Sequence, residues 1–161
     1  MVSVNGVVDV SIIVPVCFDN PLRNYAVEFL AKVLRLEEKA LVPTTTILGA
    51  YHIVTRYLRV PRRLVKKILT GLVETRSPAL YPQVSVREVV EALDIASSYR
   101  VESWDAYLVA LARKYNARYI YTLDRRLKTI PEIVVKNPFP GELTRQYHEY
   151  VRELLEELRG K

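Results

Sequence analysis

Short runs of β-branched residues alternate with amphipathic helical segments along this chain, and this alternation is the feature that most constrains its fold. We predict strands over residues 2–16, 41–42, 117–122 and 132–136. We predict helices over residues 21–34, 44–60, 61–70, 87–98, 103–115 and 142–158, with residues 84–86 left as a strand end or a cap. Strands that alternate with helices form a mostly parallel sheet covered on both faces, so the expected fold is α/β.

Composition narrows the class of protein further. The 161 residues fit one domain, and half of them are apolar, as in an ordinary globular protein. The single cysteine cannot form an intrachain disulfide. The apolar run over residues 10–18 is too short to span a bilayer and lacks the basic start of a secretory signal, so we expect a cytoplasmic protein. The net charge of +6 favours polyanionic partners.

Three aspartates stand at ends of predicted elements. Asp9 interrupts an apolar strand, where a charge is costly unless it is paired or bound to a metal. Asp105 falls in the first turn of the helix that we expect Ser103 to cap, and Asp124 follows a strand. Each has an ordinary structural interpretation by itself, as a strand-end residue, a partner of the helix dipole or a turn residue.

Chain geometry brings these three aspartates together. A helix of about 12 residues rises roughly 18 Å, and a strand of about 6 residues covers roughly 20 Å. The start of the Ser103 helix and the end of the following strand therefore return to one sheet edge, and Asp9 joins them if its strand is parallel. Three carboxylates at one edge repel each other unless a cation neutralises them. Oxygen ligands favour Mg²⁺ or Mn²⁺.

The order and spacing of four motifs resemble those of PIN domains, and the likeness runs from about residue 7 to residue 139. The motifs are DVSII at residues 9–13, SWDAYLVA at 103–110, YTLD at 121–124 and VKNPF at 135–139. The resemblance implies a three-layer sandwich with a mostly parallel central sheet and helices on both faces. It also implies a metal-dependent ribonuclease, as in VapC-like toxins of toxin–antitoxin pairs, archaeal-type PIN proteins and RNA-processing nucleases.

Residue roles follow from the same resemblance. Asp9, Asp105 and Asp124 would be metal ligands and catalytic residues, with Mg²⁺ or Mn²⁺ as the cofactor. Ser11 and Thr122 would be hydroxyls that support the metal-bound water or the carboxylates, or else ordinary cap and turn residues.

The chain departs from the PIN pattern at one acid. The family usually has a glutamate early in its second helix, where this chain has Gly49. This loss removes a charge from the site and keeps a second interpretation open, namely a catalytically weakened PIN module that binds RNA or a protein partner. Two residues are candidate substitutes for the missing glutamate. His52 lies one turn further on, and its alternative interpretation is a packed, hydrogen-bonded histidine. Glu102 lies near Asp105, and its alternative interpretation is an exposed charge.

Basic residues suggest where RNA would bind. The densest basic stretch lies around the third and fourth predicted helices, at spacings that put several members on one helical face. A second group directly follows Asp124 and should border its cleft, where phosphate contacts position RNA. These candidates are Arg56, Arg59, Arg62, Arg63, Lys66 and Lys67 in the first group and Arg125, Arg126 and Lys128 in the second.

Domain organisation and partners complete the prediction. We assign residues 1–139 to the PIN-like domain and residues 140–161 to a C-terminal amphipathic helical extension. Its apolar stripe should pack on its own domain or on a second subunit, with a homodimer as the expected state; the stripe comprises Leu143, Tyr147, Val151, Leu154 and Leu158. RNA and a small antitoxin are the predicted partners, without a membrane. A phosphoryl-transfer enzyme with Asp9 as nucleophile fits less well, because Ser11 stands where such phosphatases need a second aspartate.

Overall fold

Five parallel strands form the sheet at the centre of the described chain. The computed structural model describes residues 3–161, apart from the side chains of residues 128 and 129. The strands lie in the order β3-β2-β1-β4-β5. Their bounds are β1 Gly6–Val8, β2 Ala40–Pro43, β3 Leu80–Tyr81, β4 Tyr119–Tyr121 and β5 Val134–Lys136.

Seven α-helices surround this sheet in the described residues. They are α1 Val10–Ile13, α2 Arg23–Leu34, α3 Thr44–Arg56, α4 Arg62–Glu74, α5 Val86–Tyr99, α6 Ser103–Lys114 and α7 Gly141–Arg159, with 3-10 turns at Val14–Cys17 and Arg126–Thr129. No helix among residues 3–161 is both long enough and apolar enough to cross a membrane.

Two separate cores lie on the two faces of the sheet because neighbouring strand residues point in opposite directions. Val7 and Ile120 pack with α5 and α6 on one face. Val8 and Tyr121 pack with α1, α2, α3, α4 and α7 on the other. The predicted α/β fold with a parallel sheet between two helical layers is therefore confirmed.

The first strand is much shorter than the sequence predicts. It ends at Val8, and Asp9 caps α1 by accepting a hydrogen bond from the Ser11 backbone N–H. The following apolar residues form α1 and the 3-10 turn, where Ile12, Ile13 and Cys17 are fully buried. The prediction of a strand over residues 2–16 was wrong because an apolar run that is buried on every side has no period to distinguish strand from helix. Residue 2 lies outside the described part of the chain.

The observed ends of several helices also differ from the predicted ones. Helix α3 ends at Arg56 rather than at residue 60, and α4 continues to Glu74. Ser85 is a helix cap, paired with Glu88 in a capping box, and β3 was missed. Helix α6 begins at Ser103 itself, so the prediction that Ser103 caps it was wrong.

Helix α7 lies against its own chain. Tyr147 is buried, with its ring centroid 6.3 Å from that of Phe18, and Leu143, Val151 and Leu154 are half-buried against the same core. Of the two predicted placements for the apolar stripe, the structure shows packing on the same chain.

Candidate active site

The three predicted aspartates line one cleft at the carboxyl edge of the sheet. Asp9 directly follows β1, Asp124 follows β4 closely, and Asp105 lies in the first turn of α6. Strands β1 and β4 are neighbours and parallel, so the two strand ends meet at the same edge. The cleft has a volume of about 960 Å³ and is also lined by Glu102, and we call it the acidic cleft.

Asp9 is held rigidly by two hydroxyls. Only 7% of it is exposed, and its Oδ2 accepts hydrogen bonds from Ser11 Oγ at 2.7 Å and from Thr122 Oγ1 at 2.7 Å. The Ser11 backbone N–H adds a third bond to Oδ2 at 3.3 Å. All three bonds go to Oδ2, and no described residue donates a hydrogen bond to Oδ1.

Ser11 and Thr122 also connect Asp9 to the end of β4. Ser11 Oγ accepts from the Leu123 backbone N–H at 3.0 Å, and Thr122 Oγ1 accepts from the Asp124 backbone N–H at 3.0 Å. The two hydroxyl oxygens are 3.1 Å apart. Through these contacts both hydroxyls fix the position of the Asp9 carboxylate relative to the end of β4, so we describe Ser11 and Thr122 as positioning residues.

Asp124 is paired with Arg126. Its Oδ1 accepts from the Arg126 backbone N–H at 2.9 Å, and its Oδ2 accepts from the guanidinium Nε at 2.8 Å. Arg126 Nη1 also donates to Glu102 Oε1 at 3.3 Å. The Arg126 hydrogen bond holds the pKa of the Asp124 carboxyl below its usual value.

Asp105 has the opposite electrostatic environment. Burial raises the pKa of its carboxyl to about 6, and the negative charges of Asp9, Asp124 and Glu102 act in the same direction, against the cation of Arg126. The site therefore holds more negative charge than its own cation neutralises, which is the condition that favours binding of a further cation.

The carboxylates do not form a compact metal-sized cluster. Among the described residues, no three histidine, cysteine, aspartate or glutamate side chains stand close enough together to enclose an ion. Two of these carboxylates instead have protein partners, Asp124 in Arg126 and Asp9 in the Ser11 and Thr122 hydroxyls, and the assignment of the three aspartates as metal ligands stays a prediction. The donor set still fits a hard divalent ion, because Asp9 and Asp105 line the same cleft and offer oxygen ligands.

Gly49 and His52, on α3, also line the acidic cleft. A Cβ at Gly49 would meet Val10 Cγ2 at 3.3 Å, which is close but adjustable. The exposed His52 ring stands edge-on to Tyr57, with centroids 5.7 Å apart. The position of the usual family glutamate is thus at the cleft, and no carboxylate occupies it.

The predicted RNA-binding arginines divide into separate groups. Arg126 lines the acidic cleft, and Arg125 lines a neighbouring cavity of about 850 Å³ that contains part of α7. The helical group is exposed but lines neither cavity, so its role in RNA binding stays a prediction; it comprises Arg56, Arg59, Arg62, Arg63, Lys66 and Lys67. The side chain of Lys128 lies outside the described part of the structure.

Sequence reasoning missed several groups that line the cleft. Trp104 has the helical spacing of the apolar stripe of α6, which predicts a core position, yet it is 69% exposed and forms part of the cleft wall. Its position next to Asp105 in the sequence could have indicated that Trp104 lies at the cleft. Thr45, Tyr107 and His148 also line the cleft, and His148 could not be expected there because only tertiary packing brings α7 to this edge.

Comparison with known families agrees with this geometry. The PIN domain family model matches residues 6–133, which is most of the chain, and the chain belongs to the PIN domain family. Its fold is therefore of a nuclease type. A search of curated proteins gave no match.

Proposed function

We propose that this protein is a metal-dependent endoribonuclease of PIN type that cleaves single-stranded RNA. The supporting observation is that Asp9, Glu102, Asp105 and Asp124 line one cleft at the carboxyl edge of a PIN sheet. A divalent ion bound there would lower the pKa of a coordinated water and offset charge on the phosphate. Because a carboxylate is missing at Gly49, we expect one weakly bound Mg²⁺ or Mn²⁺ rather than a tight pair.

The protein groups have separate roles in this proposal. Ser11 and Thr122 hold one oxygen of Asp9 and leave Oδ1 for the ion, and Asp105 supplies a second oxygen. Asp124 becomes available when Arg126 moves away. An arginine fork suits a phosphate as well as a carboxylate, so Arg126 can exchange Asp124 for the RNA backbone.

A cleavage assay with a stability readout tests this function. We expect the wild type to cut mixed single-stranded RNAs with Mg²⁺ or Mn²⁺, and Asp9→Asn to abolish cutting. Millimolar Mn²⁺ should raise the melting temperature of the wild type, because an ion that binds only the folded state stabilises it. Asp9→Asn should lose this rise, whereas Asp94→Asn, an exposed aspartate on α5, should keep both properties.

The second candidate function is a PIN module that binds RNA or a protein partner without turnover. The absence of a carboxylate at Gly49 favours it. If calorimetry finds no Mn²⁺ binding at millimolar concentration and no RNA is cut, this alternative replaces the nuclease. A gene for a small antitoxin next to this one would instead assign the protein to the toxin class, acting on cytoplasmic RNA.

A further inference from the structure

The cavity beside the acidic cleft is lined mainly by positive charge. It has a volume of about 850 Å³, and apart from a histidine its charged lining residues are three arginines and one glutamate, namely Arg125, Arg145, Arg152 and Glu149. The acidic cleft has the opposite balance, with four carboxylates and one arginine. We call the basic space the arginine cavity, and its excess of positive charge attracts an anionic ligand.

The arginine cavity and the acidic cleft are neighbours at the carboxyl edge of the sheet. Leu123 and His148 line both spaces. Thr122, in the wall of the arginine cavity, donates to Asp9 Oδ2 in the acidic cleft at 2.7 Å. Thr122 and Asn137 directly follow β4 and β5, at the edge where parallel sheets bind ligands. One extended ligand can therefore occupy both spaces.

Two separate segments of the chain supply the arginines. Arg125 follows β4, whereas Arg145 and Arg152 belong to α7. The start of α7 is fixed at the sheet edge because Asn137 Nδ2 donates to Thr144 Oγ1 at 2.9 Å. Arg145 and Arg152 are seven residues apart, so they lie on one face of the helix and roughly 10 Å apart along its axis.

The guanidinium groups of the cavity are accessible to a ligand. Arg125 and Arg152 are exposed, and neither forms an ion pair with a carboxylate among the side chains that the structure describes. Arg145 Nη2 donates to the two oxygens of Glu142 at 2.7 and 2.6 Å. Both side chains of this pair are more than half exposed, and such surface pairs contribute little free energy. Arg145 can therefore exchange Glu142 for a phosphate.

An RNA strand matches this distribution of charge. The carboxylates of the acidic cleft repel a phosphate until a cation neutralises them, so a strand that enters the cleft needs attraction from outside it. Arginine forks supply that attraction because they fit phosphate oxygens. A strand carries one phosphate on every nucleotide, so it offers negative charge along the whole length of the arginine cavity.

We propose that the arginine cavity binds the sugar–phosphate backbone of the RNA strand on one side of the bond to be cut, through Arg125, Arg145 and Arg152. These contacts hold the strand whatever its bases are, because every nucleotide carries the same phosphate. The proposal rests on the proposed ribonuclease function and adds a backbone-binding site to it. Most residues of the cavity wall lie beyond residue 133, where the family match ends, so the family match does not supply this site.

Binding of labelled RNA dodecamers in EDTA tests the site without cleavage. We expect Arg125→Gln and Arg152→Gln each to weaken binding roughly three- to tenfold in fluorescence anisotropy, by the same factor for oligouridine and oligoadenosine. The double variant should lower the slope of log affinity against log salt concentration by about 1.4, since each lost phosphate contact removes about 0.7. Arg159→Gln makes the same change at an exposed position of α7 outside both cavities and should bind like the wild type.

A change of opposite sign gives a second test. Glu149 is the one carboxylate in the described wall of the arginine cavity, so Glu149→Gln should tighten RNA binding. Glu153→Gln, at an exposed position of the same helix outside both cavities, should leave it unchanged. Equal effects of each cavity variant and its control would reduce the result to net charge and overturn the proposal. A loss confined to one base, or no RNA binding by the wild type, would overturn it as well.

Cleavage kinetics with Mn²⁺ separate this proposal from the proposed function. The double variant Arg125→Gln with Arg152→Gln should raise KM and leave kcat unchanged, because backbone contacts away from the cut bond are equal in the ground state and the transition state. RNA that binds through the arginines in EDTA but is not cut with Mn²⁺ would refute only the nuclease. RNA that is cut with an unchanged KM in the double variant would refute only the arginine cavity.

Discussion

The hydrogen bonds at Asp9 explain how a carboxylate can be almost fully buried at a strand end. Three donors converge on Oδ2, and they come from Ser11 and Thr122 on two neighbouring segments. Such bonds offset the cost of removing the carboxylate from water. At Asp105, burial and then the negative charges of neighbouring acids raise the pKa of the carboxyl.

Restoring an acid at Gly49 should strengthen metal binding. We expect Gly49→Glu to bind Mn²⁺ more tightly in calorimetry and to cut RNA faster, because it adds a charged oxygen to the cleft. Gly49→Ala is the control: it has the same 3.3 Å contact with Val10 Cγ2 and gains up to about 1 kcal/mol of helix propensity, without a carboxylate. Equal Mn²⁺ affinity in the two variants would contradict the assignment of this position.

Removing the charge of Asp105 should stabilise the metal-free protein above pH 6. The folded-state pKa is about 6, against an ordinary value of 3.8, so the folded state binds more protons than the unfolded state between these values. Stability contributed by this group is therefore lost as pH rises from about 4 to about 6.

In EDTA at pH 7.5, we expect Asp105→Asn to gain on the order of 1 kcal/mol after allowance for solvent screening, or about 2–4 °C in melting temperature. The gain should disappear near pH 4. Asp94→Asn should show neither effect, and a gain for Asp105→Asn that is equal at both pH values would argue against the charge explanation.

At the scale of elements, α7 belongs to the core of the described chain. Tyr147 contacts Phe18 and is 6% exposed, whereas Tyr150 on the same helix is 40% exposed. Helix α7 also supplies Tyr147 and His148 to the wall of the acidic cleft. The helix thus supports both stability and the shape of the site, although the family match ends before it, at residue 133.

Truncation of the buried tyrosine should test this packing. We expect Tyr147→Ala to lower the free energy of unfolding by about 3 kcal/mol in urea titration, as large-to-small changes of buried aromatic residues do. Tyr150→Ala should cost clearly less, because much of its ring already meets solvent. Similar losses in the two variants would contradict the packing described for α7.

At the scale of the whole molecule, the exposed apolar surface of α5 bears on the predicted homodimer. Val86, Val89, Val90 and Leu93 are all exposed, and their spacing places them on one helical face. Contiguous apolar surface of this kind marks an interaction site more often than chance. Helix α5 is therefore our proposed dimer surface, separate from the acidic cleft.

Light scattering should distinguish the two oligomeric states. We expect a dimer for the wild type and a monomer for Val90→Asp, since a carboxylate in an apolar interface is not solvated. Val27→Asp, at an exposed position on α2, should remain dimeric. A monomeric wild type would refute the homodimer prediction, and dimers in both variants would place the interface elsewhere.

The sequence by itself determined the class of fold and the edge at which the aspartates lie. Alternating strands and helices require a parallel sheet, and the lengths of α6 and β4 return Asp105 and Asp124 to the edge where β1 delivers Asp9. This inference depends only on rise per residue and on chain direction. It held although the first strand was much shorter than its apolar run suggested.

Only the tertiary structure decided how the side chains at that edge are paired. The bond from Thr122 to Asp9 joins residues 113 positions apart, and Arg126 pairs with Asp124. It was also tertiary packing that exposed Trp104 and left the Thr45 and Tyr107 hydroxyls without hydrogen-bond partners among the described residues. Periodicity in the sequence shows which face of an element is apolar. A hydrogen bond between two side chains also requires their distance to be right to within a few tenths of an ångström. When the two residues lie far apart along the chain, only the tertiary structure fixes that distance.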